Sequence, residues 1–301
     1  MELGVFVETS RSQRGAGALD AYVDEVRGAA GRGFRAIWSP QIFGFDALTA
    51  ITVAARDVPG VRFGTAVVPI YGRHPMHLFQ QAMTTQFAAG GRFTLGVGLS
   101  HQPVVENMWG YPFEKPARLM REYLEVLVAL RDTGSVSHAG EAIKANGGVP
   151  VPDGFELPIV VAALGPTMLA TAGRLADGTV TWMTGPRTIA EHVVPSITKA
   201  VADAGRPAPR VVMALPTAVT DDEATSRDKA ARAFQMYGFL PSYRAMLDRE
   251  GASGPADVAV VGSKARVQQA IRSMAESGVT EFVVVPFDHA TATLDAVAEL
   301  L

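Results

Sequence analysis

The sequence predicts an α/β chain closed into a (β/α)8 TIM barrel, with a doubly wound open sheet as the second choice. Three observations point there. Segments suited to strands alternate with segments suited to helices along the whole chain, eight of each. The strand segments are continuous apolar runs, the pattern of strands buried on both faces of a parallel sheet. A length of 301 residues with a hydrophobic fraction of 48% suits one such barrel and its core.

Leu3–Val7 opens the chain as an apolar strand, and a helix follows over about Ala18–Ala30. Ala36–Trp38 is a short strand. Asp46 suits the N-cap of the next helix, which runs to Asp57, because its carboxylate can accept from the free amides of the first turn. Val61–Val68 is a strand of β-branched and small residues, and Met76–Ala89 is helical. Phe93–Leu99 is the fourth strand, followed by a helix over Lys115–Arg131. Residues 133–157 are rich in Gly, Pro and Val and read as a surface insertion. Ile159–Ala162, Thr179–Thr181, Val211–Leu215 and Phe282–Val285 supply four more strands, each with a helical stretch after it. Asp221 to Val261 is longer than one barrel helix needs and predicts two inserted helices, the extra length falling at about 235–256. Residues 1–301 thus read as a single domain with two insertions, and the charge run Asp221–Arg232 as a solvated helix face.

Composition excludes several classes. A net charge of −3 without a long basic run argues against a nucleic-acid partner. No apolar run approaches the ~18 residues of a membrane span. With no cysteine, disulfides, iron–sulfur clusters and thiol nucleophiles are ruled out. Leu3 already begins a strand with no cleavable apolar segment before it, so a cytoplasmic location is expected. No HExxH or tight His/Asp cluster suggests a metal site.

In such a barrel the chemistry lies at the C-terminal ends of the strands. Those ends read Glu8-Thr9, Ser39-Pro40-Gln41, Pro69 to His74, Ser100-His101-Gln102, Ala163-Leu164-Gly165, Trp182 to Gly185, Pro216-Thr217 and Pro286 to His289. The rim is polar, aromatic and rich in glycine, with few carboxylates, and fits a cofactor that carries the chemistry itself. Leu157 to Gly173 is its most informative part. A buried strand runs into a turn where Gly165 precedes Pro166, and proline suits the first helical position. Free amides and the helix dipole make that start a candidate phosphate site, with a plain helix cap as the alternative. Thr184-Gly185-Pro186-Arg187-Thr188 offers a second wall.

Simpler roles compete. Ser100-His101 could be a helix-start cap, and His74 before Pro75 reads as structural. His138 and His192 read as solvent-facing, and Asp288 as a cap beside His289. Trp38 and Trp182 read as packing against a ring, with core filling as the alternative. Gly96-Val-Gly98 lacks the third glycine of a dinucleotide fingerprint.

Five pieces in this order resemble the bacterial luciferase-like superfamily and, within it, the deazaflavin (F420)-dependent oxidoreductases. They are Trp38-Ser-Pro-Gln-Ile-Phe-Gly-Phe-Asp-Ala-Leu, Gly64-Thr-Ala-Val-Val-Pro, Arg92-Phe-Thr-Leu-Gly-Val-Gly-Leu-Ser-His, Ala162-Ala-Leu-Gly-Pro and Ala172-Gly-Arg-Leu-Ala-Asp-Gly. The resemblance implies F420 as cofactor, with FMN as the alternative, and a homodimer. It implies a non-prolyl cis peptide at Ala66–Val67 behind the cofactor ring, and a ring site bordered by Trp38, Ser100 and Trp182. The cofactor phosphate would be held by backbone amides of Ala163, Leu164 and Gly165, and of Met183, Thr184 and Gly185. Gln41 stands where F420 sugar-phosphate dehydrogenases carry a catalytic histidine, and His101 where they carry a glutamate. Both departures favour a reductase over alcohol oxidation.

The expected reaction is hydride transfer from C5 of the reduced deazaflavin to an electron-poor double bond of a small molecule. His101 is the expected proton donor or substrate anchor, since an unperturbed imidazole titrates near neutrality. Glu8, Gln41, Tyr71 and Trp109 would shape the substrate pocket, and Gly110 to Phe113 would close over it. Substrate identity would lie in loops 9–17, 100–114 and 235–256. An FMN-dependent monooxygenase and a non-catalytic flavin- or deazaflavin-binding protein are the alternatives. A barrel lyase is disfavoured because the strand ends carry no lysine suited to a Schiff base.

Overall fold

Strand and helix alternate as the apolar runs require, and eight parallel strands close into a barrel in the computed structural model, which describes residues 1–9 and 17–301. The first half contains β1 (Glu2–Phe6), α1 (Ala18–Gly31), β2 (Ala36–Ser39), α2 (Ala47–Asp57), β3 (Arg62–Thr65), β4 (Val68–Pro69), α3 (Pro75–Ala88), β5 (Phe93–Gly98) and α4 (Pro116–Thr133). A hairpin of β6 (Ser135–Ala139) and β7 (Lys144–Gly148) follows. The second half contains β8 (Ile159–Val161), α5 (Pro166–Leu175), β9 (Gly178–Trp182), α6 (Pro186–Thr188), α7 (Val194–Asp203) and β10 (Arg210–Val219). It ends with α8 (Glu223–Ala233), α9 (Pro241–Glu250), β11 (Val260–Gly262), α10 (Lys264–Met274), β12 (Glu281–Pro286) and α11 (Ala290–Ala298).

The ring runs β1, β2, β3 with β4, β5, β8, β9, β10, β12 and back to β1, every pair parallel. Local chemistry starts the helices as the sequence suggests. Asp46 accepts from the Thr49 amide at 2.9 Å, a cap contributing about 1 kcal/mol. Pro75, Pro116, Pro166 and Pro186 sit in the first turns of their helices, where a missing N–H costs nothing.

Two features depart from a simple eightfold alternation. β11 is an added strand that pairs only with the far end of β10, at Thr217–Val219. Its three residues are too few to stand out as an apolar run. The insertion at 133–157 contains an antiparallel hairpin pinned to the barrel by Glu122, a buried carboxylate that accepts from the Ala142 amide at 2.8 Å and the Ile143 amide at 2.9 Å. His138, expected to face solvent, instead sits half-buried with its Nε2 3.8 Å from that carboxylate. The two inserted helices expected after Asp221 are α8 and α9.

Inside the barrel Trp38, Val160, Val180, Val212, Ala214, Val283 and Val285 form one cluster. Trp38 is the correction of most consequence for the site. It is 2% exposed, and its Nε1 donates to Glu281 Oε1 at 2.6 Å. Arg210 lies over its ring at 5.8 Å and donates to Glu281 Oε2 at 3.0 Å and to Thr94 Oγ1 at 3.0 Å. Glu281 and Arg210 begin their strands, so the indole points towards the N-terminal end, away from the mouth, where it borders a cavity of about 280 Å3. Gly64 makes room for it: a Cβ there would lie 2.5 Å from Trp38 Cε3.

Among the described residues no helix is long and apolar enough to cross a membrane.

Candidate active site

The third barrel strand is interrupted between β3 and β4, and the interruption is a cis peptide between Ala66 and Val67, both half-buried. Neighbouring residues accommodate it. A Cβ on Gly96 would meet the Thr65 carbonyl oxygen at 1.9 Å, and one on Gly98 would meet Val67 Cγ2 at 2.5 Å. Gly96-Val-Gly98 is therefore a close-approach feature of the bulge. Thr65 bridges the broken ladder, its hydroxyl donating to Gly96 O at 2.8 Å and accepting from Gly96 N at 2.8 Å.

The residues expected around the bulge sort into three groups. On one side lies an aromatic cluster. Trp182 stacks on Phe6 with centroids 6.5 Å apart and meets Phe234 and Tyr237 edge-on. His101 lies edge-on to Tyr237 at 6.0 Å and to Tyr243 at 5.8 Å. Burial here pushes the His101 imidazole below its ordinary pKa of 6.5, so the neutral form prevails at pH 7. That weakens the case for a charged proton donor and leaves a neutral hydrogen-bonding ring. Burial likewise raises the Tyr237 hydroxyl; the Trp182 indole beside it pulls the other way, and the Glu8 carboxylate adds to the rise. Glu8 is thus at the same mouth.

A second group forms a cavity of about 440 Å3 lined by Gln41, Ile42, Phe43, Pro69, Tyr71, Gly72, Arg73, Trp109 and Tyr111. Gln41, Tyr71 and Trp109, separated by up to 68 positions, meet in this one space, whereas Glu8, expected with them, does not line it. Gln41 Oε1 accepts from the Ala47 amide at 2.7 Å, which turns its NH2 group away from α2. Arg73 donates to Asp46 at 2.7 Å and to Gln81 at 2.9 Å. Burial alone would raise the Asp46 pKa, but Arg73 and Thr49 outweigh it and hold the carboxyl below its usual range. The walls are therefore aromatic and their one ion pair is internally balanced. Phe113 stacks on Tyr71 at 5.7 Å, so part of the Gly110–Phe113 stretch packs behind the pocket.

The third group is the two turns. Gly165 caps α5 in extended conformation with no atom within 4 Å of a would-be Cβ, so the approach to that helix start is open. Ala163 is buried, and Leu164 O bonds to His192 Nε2 at 2.8 Å. That bond corrects the expectation of a solvent-facing His192: the ring is buried and ties the two turns together. In the second turn Met183 is buried with a left-handed φ of 51°, and Thr184 Oγ1 donates to Trp182 O at 3.1 Å. Gly185 precedes α6, whose first free amides are taken. Glu250 accepts from Arg187 N at 3.2 Å and from Thr188 N at 2.7 Å. Ser100, like Met183, has a left-handed backbone, φ 61°. Such a conformation costs about 1–3 kcal/mol for a non-glycine residue and is concentrated at functional sites.

The simpler reading holds at His74, which caps α3 by accepting from Met76 N at 3.3 Å. Asp288, expected to cap the last helix, does not: α11 has no side-chain cap, and Asp288 instead accepts from Ser226 at 2.7 Å and from Lys229 at 2.9 Å, tying α8 to the end of β12. Phe234, Tyr237, Tyr243 and Glu250 were missed from sequence. The aromatic density of Phe234-Gln-Met-Tyr-Gly-Phe-Leu-Pro-Ser-Tyr inside an insertion was the available signal.

Known proteins bear on this arrangement. The sequence signature of the luciferase-like monooxygenase family matches residues 1–281. A 5,10-methylenetetrahydromethanopterin reductase from Methanopyrus kandleri is 27% identical over 248 residues, covering 75% of this chain and 70% of that protein. A Mycobacterium tuberculosis protein provisionally named a coenzyme F420-dependent oxidoreductase is 28% identical over 204 residues, covering 62% of this chain. The match spans 58% of that relative's own length. The solved structure of the F420-dependent tetrahydromethanopterin reductase from Methanopyrus kandleri superposes with a TM-score of 0.82 at 20% identity, covering 99% of this chain and 97% of that one, a likeness of fold. The barrel, the bulge in its third strand and the match over nearly the whole sequence together mean that this chain belongs to the luciferase-like monooxygenase family.

Proposed function

We propose that this chain is an F420-dependent oxidoreductase, working as an F420H2-dependent reductase of an electron-poor C=C, C=N or C=O bond in a small molecule. One observation carries the reading. At one mouth of the barrel a half-exposed Ala66–Val67 bulge lies between an aromatic wall and an open helix start whose free amides suit an anionic tail. The fit is good on both counts: Gly96 and Gly98 make the bulge possible, and nothing stands within 4 Å of a Cβ at Gly165. The names of the relatives support F420 over FMN. Because the family is named for monooxygenases, an FMN-dependent monooxygenase remains the second reading.

A reduced deazaflavin held at this mouth would supply a hydride from C5. The Ala163–Gly165 turn and the first amides of α5 would hold its phosphate, and Ala66 and Val67 would back its ring. Ser100 and Trp182 border the ring; Trp38, turned towards the other end of the barrel, takes no part in it. The 440 Å3 cavity receives the substrate between Tyr71, Trp109 and Tyr111. Its aromatic walls and internally paired Arg73 favour a flat, neutral molecule. Gln41 offers its NH2 group to an acceptor on that molecule. His101, neutral at pH 7, anchors the substrate by a hydrogen bond and relays a proton from solvent to the atom next to the reduced one.

An acceptor panel with F420H2 tests this reading, with His101→Ala beside the wild type. Turnover should fall by about two orders of magnitude or more in the variant, the usual contribution of a positioned acid or base, while F420 affinity changes little. Unchanged turnover removes His101 from the chemistry, and the absence of any oxidised F420H2 removes the reductase reading.

A further inference from the structure

We propose that Glu250 is a cofactor-specificity residue: its carboxylate occupies the second turn and reserves the site for a cofactor whose phosphate is singly charged. The proposal rests on the reading above that a phosphate-bearing redox cofactor binds this mouth.

The Glu250 carboxylate engages two adjacent backbone amides, with Oε1 3.2 Å from Arg187 N and Oε2 2.7 Å from Thr188 N. These lie in the first turn of a helical run that continues from Pro186 through Asp203. Free amides at such a position would otherwise be available to an anionic ligand. Gly185 is shaped around the carboxylate, since a Cβ there would stand 2.2 Å from Glu250 Cδ. Two further contacts from α9 hold it in place. Thr188 Oγ1 donates to Met246 O at 3.2 Å, and the Arg187 guanidinium donates to the carbonyl of Arg249. Among the described residues no basic side chain forms an ion pair with the Glu250 carboxylate, and the protein groups that meet its charge are peptide N–H groups. The turn is thus filled by an anion that belongs to the protein.

The first turn is different. Its helix start is open, and it is fastened to the second by the bond between His192 and Leu164 O at 2.8 Å. A phosphate held at the first turn would therefore find the Arg187 and Thr188 amides beside the second already taken. The charge of that phosphate then decides the outcome. The phosphate of F420 is a diester with one negative charge, which one set of amides can meet. The phosphate of FMN is a monoester that carries about −1.5 to −2 at pH 7. It gains more from a second set of donors than a diester does. Glu250 thus withholds the amides of Arg187 and Thr188 from a second phosphate oxygen, to the disadvantage of the monoester.

The test compares wild type, Glu250→Gln and Glu250→Ala in fluorescence titrations with F420, FMN and riboflavin. Riboflavin has the FMN ring without its phosphate, so the ratio of FMN to riboflavin affinity isolates what the phosphate contributes. That ratio should rise about tenfold or more in Glu250→Ala, and by less in Glu250→Gln, which keeps one acceptor at the turn without the charge. Riboflavin affinity itself should stay unchanged, which also shows that the mouth has kept its shape. Amide hydrogen exchange gives a second readout: Arg187 and Thr188 should be protected in the cofactor-free wild type and lose that protection in Glu250→Ala. Equal ratios in the three proteins, or FMN that stays unbound in all of them, would overturn the proposal. A wild type that prefers FMN to F420 would instead overturn the cofactor reading, while the response of the ratio to Glu250→Gln still judges Glu250.

Discussion

Replacing Gly64 with Ala should destabilise the barrel without touching the mouth. The added Cβ would stand 2.5 Å from Cε3 and Cζ3 of Trp38 and 2.9 Å from Cδ2, well inside van der Waals contact. Trp38 cannot swing aside cheaply, because its Nε1 is bonded to Glu281 at 2.6 Å and Arg210 covers its ring. Overpacking of a core costs about 1–3 kcal/mol, and a buried donor that loses its partner adds about 1–3 kcal/mol. Relief of one strain shares in the other, so about 3 kcal/mol is the expected total. At about 2.1 cal/mol/K per residue, a chain of 301 residues has an unfolding entropy of about 0.6 kcal/mol/K, and Tm should fall by about 5 °C. Thermal melting measures the shift. A double-mutant cycle with Trp38→Phe, which lacks the fused second ring, should recover about 1 kcal/mol or more of the Gly64→Ala cost. F420 affinity of Gly64→Ala should match the wild type, since Trp38 faces the other end. A Tm within about 1 °C of wild type, or a Gly64→Ala cost undiminished in the Trp38→Phe background, would refute the packing argument.

Three further outcomes follow from the same contacts. Burial holds the His101 pKa below 6.5, so on acidification the unfolded chain takes up this proton first and stability falls with pH below that value. His101→Gln should therefore lose less Tm than wild type between about pH 7 and pH 5, and an equal loss would mean that the ring is not buried. Glu122→Ala should cost about 3 kcal/mol by orphaning the Ala142 and Ile143 amides. Hydrogen exchange should then show the hairpin of β6 and β7 opening ahead of the barrel, and a hairpin as protected as in wild type would contradict that anchor. Asp46→Ala removes the cap of α2, worth about 1 kcal/mol, and releases Arg73 into the substrate cavity. The KM of acceptors bearing a carboxylate should fall relative to that of neutral ones; no change in that ratio would mean that Asp46 does not balance the pocket.

Much of the fold was legible because its signals are local. β12 and β5 are apolar on both faces, and only a sheet covered on both sides buries every residue of such runs. Asp46 and Pro166 announce their helices through first-turn chemistry that acts within three residues. The rim residues were found because strand ends in a barrel share one face, which brought Gln41, Tyr71 and Trp109 together from three loops. What stayed hidden depends on direction or on distance. A strand with apolar residues on both faces does not say which end of the barrel an indole leans towards, and Trp38 leans to the N-terminal end. Glu250 lies 62 residues beyond Thr188, on an insertion whose docking no periodicity encodes. His192 falls on a helix and looks solvated until the turn it bonds to is placed beside it.

The central claim is that this mouth grips a deazaflavin by its tail and presents the ring to a substrate. Equilibrium titration of the purified protein with F420, beside the same chromophore cleaved of its phosphate and everything beyond, addresses it most directly. The account expects saturable one-to-one binding of F420 that weakens by about tenfold or more when the phosphate is gone, in line with several charge-assisted amide contacts. Equal affinity for the two, or no binding of either at about millimolar supply, which corresponds to about −4 kcal/mol, would contradict it.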